Sequence, residues 1–474
     1  MNKYDIVIGL EVHVQLKTDS KIFCSCSTQF EAPPNTNICP VCCGYPGVLP
    51  VFNQKALDLG VRVGLALNCQ MNEKIYFERK NYFYPDLPKN YQISQYKMPL
   101  GENGKLQLPG GKKIGIKRVH LEEDAGKLIH SINHSLVDLN RTGIPLLEIV
   151  SEPDIESAQE AFDYLTQLKL ILQYIGASEC EMEKGLLRCD ANISLKPKQA
   201  KELGVKVELK NMNSFRGVRD ALSYEAKRQE KALEENERIV QETRLWDEAE
   251  QISVSMRSKE EAHDYRYFPE PDLLDFKVSK DCIESQKDFV GELPLKKRKR
   301  FLESYGLSEK EVDIIISNLS IADFFEESCK EFNEPKKIAN WILGPFLEQV
   351  NSLADKLNEV KITAPNFAKI VKLFCEGKLN NLTAKRVLSL ALTTNRDIDE
   401  IIEKEGLVQV SSEDELGCFA KEVIKENPKP VGQYKEGKEQ AIMFLVGQMM
   451  KKTKGKANPK IARQILEKIL KESG

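Results

Sequence analysis

Up to about residue 290, apolar residues in this chain recur at every second position within short runs. Beyond it they recur at the spacing of a helix. No other feature limits the fold as much. Period two puts alternate side chains on opposite faces of a strand, whereas a period near 3.6 gathers them on one stripe of a helix. The chain is therefore expected to be α+β, with a mixed first part over 1–290 and an all-α second part. "GELPLKKRKRF" (291–301) reads as the entry to the second part, and all five histidines precede position 264. A length of 474 residues suits two to four domains.

Four stretches carry the alternation. In "DIVIGLEVHVQL", Leu10, Val12, Val14 and Leu16 face one way and Glu11, His13 and Gln15 the other. In "LLRCDANISL", Arg188, Asp190, Asn192 and Ser194 share a face. "VKVELKN" sets Lys206, Glu208 and Lys210 against Val205, Val207 and Leu209, and near 146–150 Leu146, Glu148 and Val150 fall together. Helix starts are marked by capping residues. Ser157 with Glu160 opens a helix that ends at Gly176, and a second runs from about Ser214 through "YEAKRQEKALEENE". In the second part, Ser308 and Ser412 begin capping boxes and Thr383 is the expected N-cap of "AKRVLSLAL". A weaker break near Glu405–Gly406 divides a helical domain, 291–406, from a tail, 407–474.

No apolar run approaches the ~20 residues that span a bilayer, and no signal peptide is expected from "MNKYDIVIGLEVHVQL". A cytoplasmic protein with reduced thiols follows as the expectation. Net charge is only −3, but 451–463, "KKTKGKANPKIAR", holds six Lys or Arg and no acid. Such a run is either a solvated face or a phosphate-contacting patch containing Lys451, Lys452, Lys454 and Lys456.

The segment 24–42, "CSCSTQFEAPPNTNICPVC", has Cys-x-Cys, twelve residues, then Cys-x-x-Cys. Structural zinc takes four S or N ligands in a tetrahedron, and paired cysteines on two turns supply them. Cys24, Cys26, Cys39 and Cys42 are the expected ligands of a zinc knuckle over 24–43, with Cys43 spare and the prolines and asparagines between the pairs forming the turns. Cys69, Cys180, Cys189, Cys282, Cys329, Cys375 and Cys418 are scattered singly and read as ordinary thiols.

The polar strand faces gather Glu11, His13, Glu148, Arg188, Asp190, Lys206 and Glu208, and "VHLEEDAGK" adds Glu122, Glu123 and Asp124. Ordinary half-exposed strands look similar. A concave acidic sheet would instead hold Mg²⁺ through carboxylates, and Mg²⁺ would hold phosphates. No GxxxxGK[ST] and no GxGxxG occurs, so any ATP use must be on a sheet; "GENGKLQLPGGKKIG" reads as a hairpin. "FERKNYFYPDLPKNYQIS" (77–94) sets aromatics among Arg79, Lys80 and Lys89, either an ordered aromatic loop or a base-stacking surface.

"IGLEVHVQL", the cysteine segment with "YPGVLPV", "ERKNYFYPDLPKNYQISQ", "VHLEEDAGK", "DLNRTGIPLLEIVSEPD", "LRCDANISL", "ELKNMNSF", "DYRYFPEPDL" and the tail "FLVGQMMKKTKGKANPK" occur in an order that resembles the B subunit of the bacterial-type aspartyl/glutamyl-tRNA(Asn/Gln) amidotransferases, across nearly the whole chain. The archaeal-type E subunit shares the first part but carries an inserted domain, for which 290 residues leave no room. The resemblance implies a glutamine-synthetase-like antiparallel cradle, an all-α domain and a small YqeY-like tail that grips tRNA. It implies a glutaminase A subunit and a small C subunit as partners, and ATP, Mg²⁺ and structural Zn²⁺ as cofactors. The implied substrates are misacylated Glu-tRNA(Gln) and Asp-tRNA(Asn). By that resemblance His13, Glu123 and Glu148 would contact Mg²⁺, with Glu11 and Asp190 as weaker candidates. Arg79 and Lys80, which match the family's loop near the reaction site, would contact phosphate or substrate, and Arg188 and Lys206, beside the carboxylates of the strand faces, are expected to neutralise phosphate. Family members differ in whether they keep the cysteines, and this chain keeps all four. A non-catalytic zinc-containing tRNA-binding scaffold is the competing reading.

Overall fold

The computed structural model describes residues 3–258, 265–352, 360–394, 396–405, 413–453, 457 and 459–472. It divides into two compact units, Met1–Lys296 and Lys297–Gly474. The strands of the first are β1 (Tyr4–Gln15), β2 (Gln70–Met71), β3 (Lys74–Ile75), β4 (Glu78–Asn81), β5 (Tyr91–Ser94), β6 (Gly101–Gln107), β7 (Lys113–Glu123) and β8 (Lys127–His130). They continue as β9 (Ser135–Asp138), β10 (Pro145–Ser151), β11 (Leu187–Pro197), β12 (Val207–Lys210), β13 (Glu242–Asp247), β14 (Ile252–Ser258), β15 (Phe268–Pro269) and β16 (Phe276–Lys277). Nine of them form one sheet in the order β14-β13-β12-β11-β1-β10-β7-β6-β2. The pairing is antiparallel except between β12 and β13, which run parallel.

The alternation in "DIVIGLEVHVQL" decides what each face of this sheet does. Leu10, Val12 and Val14 are buried, while Glu11, His13 and Gln15 remain partly exposed. The apolar face joins one core with three helices, α1 (Gln54–Ala66), α2 (Ala158–Tyr174) and α3 (Phe215–Glu234). Gly60 lets α1 approach closely, since a Cβ there would lie 2.7 Å from Leu100 Cδ2 and 3.4 Å from Leu121 Cδ2. α2 starts at Ser157, whose side chain accepts from the Glu160 N–H, and the Glu160 carboxylate takes the Glu156 N–H rather than that of Ser157. Gly176 follows in the left-handed region at φ +67°, as a helix stop requires.

β12 differs from expectation. It begins at Val207, so Lys206 lies outside the strand and is exposed, and Val205 is exposed with it. Of the three polar positions expected on this face, Glu208 and Lys210 remain on β12, and Lys210 pairs with both Asp190 and Glu208.

The second unit is helical and holds two separate cores, one formed by residues between Phe301 and Ile402 and the other by residues between Leu416 and Leu470. Ser308 and Glu311 make the reciprocal capping box. The helix Asn381–Thr393 has its cap at Asn380, three residues before the expected one. Asn380 accepts from the Thr383 N–H, so Thr383 lies in the first turn. Ser412 and Gly406 lie outside the described residues. Among the described residues no helix is long and apolar enough to cross a membrane.

Candidate functional site

The centre of the sheet turns a polar row outward. The register sets His13 opposite Glu148 on one side and Arg188 on the other, and Glu148 opposite His120. Two residues along, Glu11 faces Asp190. On β7 the period of two brings His120 and Glu122 to this face while Val119 and Leu121 fill the core. His13 Nε2 lies 3.4 Å from Glu148 Oε2 and 3.6 Å from Glu122 Oε1. His120 Nε2 lies 3.2 Å from the same Glu148 oxygen. One ligand atom from each of His13, Glu122 and Glu148 falls within 4.8 Å of the others.

The electrostatics are those of a carboxylate-rich cluster. Burial raises the Glu11 carboxyl above its usual range, and the charges of Glu148, Glu208 and Asp190 raise it further. Burial also opposes ionisation of Glu148, but His120 and His13 overcome it and hold that carboxyl well below the usual range. Burial lowers the His13 imidazole, yet its hydrogen bond to Glu148 and the charges of Glu148 and Glu122 bring it above its ordinary value. Two of the nearby cations are already engaged. Arg188 Nη2 is 2.9 Å from Asp124, and Lys210 pairs with Asp190 and Glu208. Two carboxylates and an imidazole converging beside three more acids are a donor set for a divalent cation.

Several expected residues stand elsewhere. Glu123 points to the opposite face from Glu122, because consecutive strand residues must. There Lys89 Nζ holds its two oxygens at 2.5 and 2.6 Å and the Ile93 N–H donates at 2.8 Å. Glu122 therefore replaces Glu123 in the cluster. Arg79 is committed to a buried carboxylate, Glu270, by contacts of 2.7 and 2.8 Å, and lies over the Tyr91 ring at 4.2 Å. It is a brace between β4 and β15 rather than a free phosphate ligand. Lys206 lies before β12 and is exposed. Lys80 lies 4.9 Å from the Tyr265 ring centre. The hydroxyls of Tyr82 and Tyr267 are raised first by burial and next by the charge of Glu122, so the aromatic segment borders the cluster. Phe83 and Tyr84 are exposed beyond it. His120 and Arg118 of this face were not expected, and Glu122 and Lys210, read on the polar faces, were not among the expected site contacts. Arg118 Nε is buried with no hydrogen-bond partner among the described residues. Its phase on β7, two before His120, was the available signal.

The cysteine segment forms a second cluster. The Sγ atoms of Cys24, Cys26, Cys39 and Cys42 all lie within 4.8 Å of one another, and Cys43 is not among them. The Cys39 N–H donates to Cys42 Sγ at 3.2 Å, closing the Cys-x-x-Cys turn. Hydrogen bonding from Cys24 is the main reason the Cys42 thiol is pushed down to about 4, and Lys21 adds to it. Cys24 is raised correspondingly. Among the described residues no disulfide is formed. In the basic run, Lys451 is exposed, while Lys452 pairs with Glu422 at 2.7 Å and Glu426 at 2.6 Å. Lys454 and Lys456 lie outside the described residues.

These features now meet known sequences. A family model described as "GatB/GatE catalytic domain" matches residues 6–284, and one described as "GatB domain" matches 323–470. The chain belongs to the GatB/GatE family. The first match contains the whole polar row and the cysteine cluster. Relatives of this GatB/GatE chain include the B subunit of the aspartyl/glutamyl-tRNA(Asn/Gln) amidotransferase of Thermoanaerobacter pseudethanolicus, 53% identical over 99% of both chains. The B subunit of the same name from Carboxydothermus hydrogenoformans is 50% identical over 98% of both. That of Thermodesulfovibrio yellowstonii is 51% identical over 99% of this chain and 100% of its own.

Proposed function

We propose that this chain acts as the B subunit of a tRNA-dependent amidotransferase and that the polar face of its sheet is the ATP site. The observation carrying this reading is the grouping of His13, Glu122 and Glu148, the two carboxylates buried and the imidazole partly exposed, beside Glu11, Asp190 and Glu208. A non-catalytic tRNA scaffold needs the cysteine cluster and the basic tail but has no use for such a costly group of carboxylates.

The side-chain carboxylate of a misacylated Glu or Asp is a poor electrophile because its leaving group would be oxide. Its oxygen attacks the γ-phosphorus of ATP, the bond to ADP breaks, and an acyl phosphate results. Ammonia from a glutaminase partner then displaces phosphate and loses a proton, leaving the amide. Mg²⁺ fits His13, Glu122 and Glu148, and when bound it supplies charge that draws phosphate oxygens to this face. Arg118, two residues before His120 on β7, borders the same face and adds a donor suited to phosphate. The four cysteines fit zinc, whose thiolate preference they meet, in a closed structural site. The end of the chain, with Lys451, contacts tRNA.

The test is reconstitution with A and C subunits on both misacylated tRNAs, with and without ATP. ATP-dependent amidation of at least one is expected, and none of either would reject the reading. The isolated chain is expected not to hydrolyse glutamine.

A further inference from the structure

Lys21 is completely buried. An ammonium has three donors and no acceptor, so in such a place it must meet acceptors, preferably anionic ones. The other buried lysines obey this rule. Lys297 has Asp323 at 2.7 Å and Glu326 at 3.0 Å, and Lys89 has Glu123. Lys21 has no carboxylate within ion-pair distance among the described residues. Its Nζ reaches the Leu139 carbonyl at 3.4 Å and Cys42 Sγ at 3.6 Å. Glu123, which lines the same cavity, is already taken by Lys89.

The cysteine cluster has the complementary problem. Four thiolates around one divalent cation carry a formal charge of minus two. Sulfur in a neutral thiol accepts hydrogen bonds weakly, whereas a thiolate is a proper anion. Each group thus supplies what the other lacks. We propose that Lys21 is the counter-charge of the cysteine-bound metal, donating to Cys42 Sγ and setting how tightly the metal is held. It is a positioning residue: it touches a ligand, not the metal. The proposal rests on reading the four cysteines as a metal site.

The placement also ties the cluster to the scaffold. The Lys21 carbonyl accepts from Asn53, the N-cap of α1, at 3.2 Å, and the Ile22 N–H donates to the Gly143 carbonyl at 2.9 Å, just before β10. Loss of the metal would leave a buried ammonium without its anion at a junction of α1 and β10.

The experiment uses the full chain loaded with Zn²⁺ or with Co²⁺ as a spectroscopic probe. Lys21→Met keeps the stem and removes the donor; Lys21→Gln keeps a donor without charge. Lys21→Met is expected to bind one metal with four thiolates, to release it to a chelator about 10- to 100-fold faster, and to shift the thiolate-to-cobalt charge-transfer band. Lys21→Gln is expected to lie between it and the wild type. Unchanged release and an unchanged band in Lys21→Met would overturn the proposal. Wild-type chain that binds no metal would instead overturn the metal reading beneath it. If Lys21→Met does not fold, acylation of wild-type amines decides the matter. Lys21 protected with metal and labelled after chelation supports the proposal, and protection unaffected by chelation contradicts it.

Discussion

Replacing Arg79 by Met tests whether that residue is a brace or a phosphate ligand. Arg79 makes contacts of 2.7 and 2.8 Å to Glu270, whose side chain is 0% exposed. Without Arg79 that carboxylate stays buried, with the Asp272 N–H at 3.0 Å still donating to it. Breaking a buried ion pair by removing one partner costs about 3–5 kcal/mol. The Arg79 side chain is 19% exposed, so water entering the gap recovers part of this and about 3 kcal/mol remains. At about 2–4 °C per kcal/mol for a domain of this size, the first transition falls by roughly 6–12 °C. Calorimetry on the full chain measures this, with Glu270→Gln and the double variant completing a cycle whose coupling is expected at about 2 kcal/mol. An unchanged midpoint together with weakened ATP binding would refute the brace and return Arg79 to the substrate.

Mn²⁺ titration followed by its magnetic resonance signal should show binding weakened at least about tenfold in Glu122→Gln and little changed in Glu123→Gln, because only Glu122 faces His13; the reverse order would reject the assignment of faces. Lys451→Ala should weaken tRNA binding and reduce the slope of log affinity against log salt by about one unit, whereas Lys452→Ala, already paired with Glu422 and Glu426, should change the slope less. Asn380→Ala should cost about 1 kcal/mol by chemical denaturation and Thr383→Ala about 0.5 kcal/mol or less, and equal costs would contradict the observed cap.

Much of this was visible in the sequence where local rules decide. The alternation around Glu11 and His13 gave the correct faces because apolar and polar residues strictly exchange there. The spacing of the cysteines named the four that converge. "VHLEED" was harder, since three acids in a row conceal the phase of the strand, and only Val119 and Leu121 reveal that His120 and Glu122 share a face. In "VKVELKN" the same pattern suggested a strand from Val205, but the pairing partner on β11 engages only from Val207. Arg79 could not have been read locally, because Glu270 lies 191 residues away. Thr383 lost the cap to Asn380, which is an equally good or better N-cap three residues upstream.

The central claim is that the grouping of His13, Glu122 and Glu148 is where the carboxylate is activated. Its most direct test is Glu148→Gln in the complex reconstituted with the proposed A and C subunits, assayed for ATP-dependent amidation and, in parallel, for tRNA binding. This change keeps the side chain's shape and removes the charge shared by His13 and His120. A fall in amidation of about 100-fold or more with tRNA held as tightly is the expected result. Amidation at the wild-type rate would mean that phosphoryl transfer occurs elsewhere.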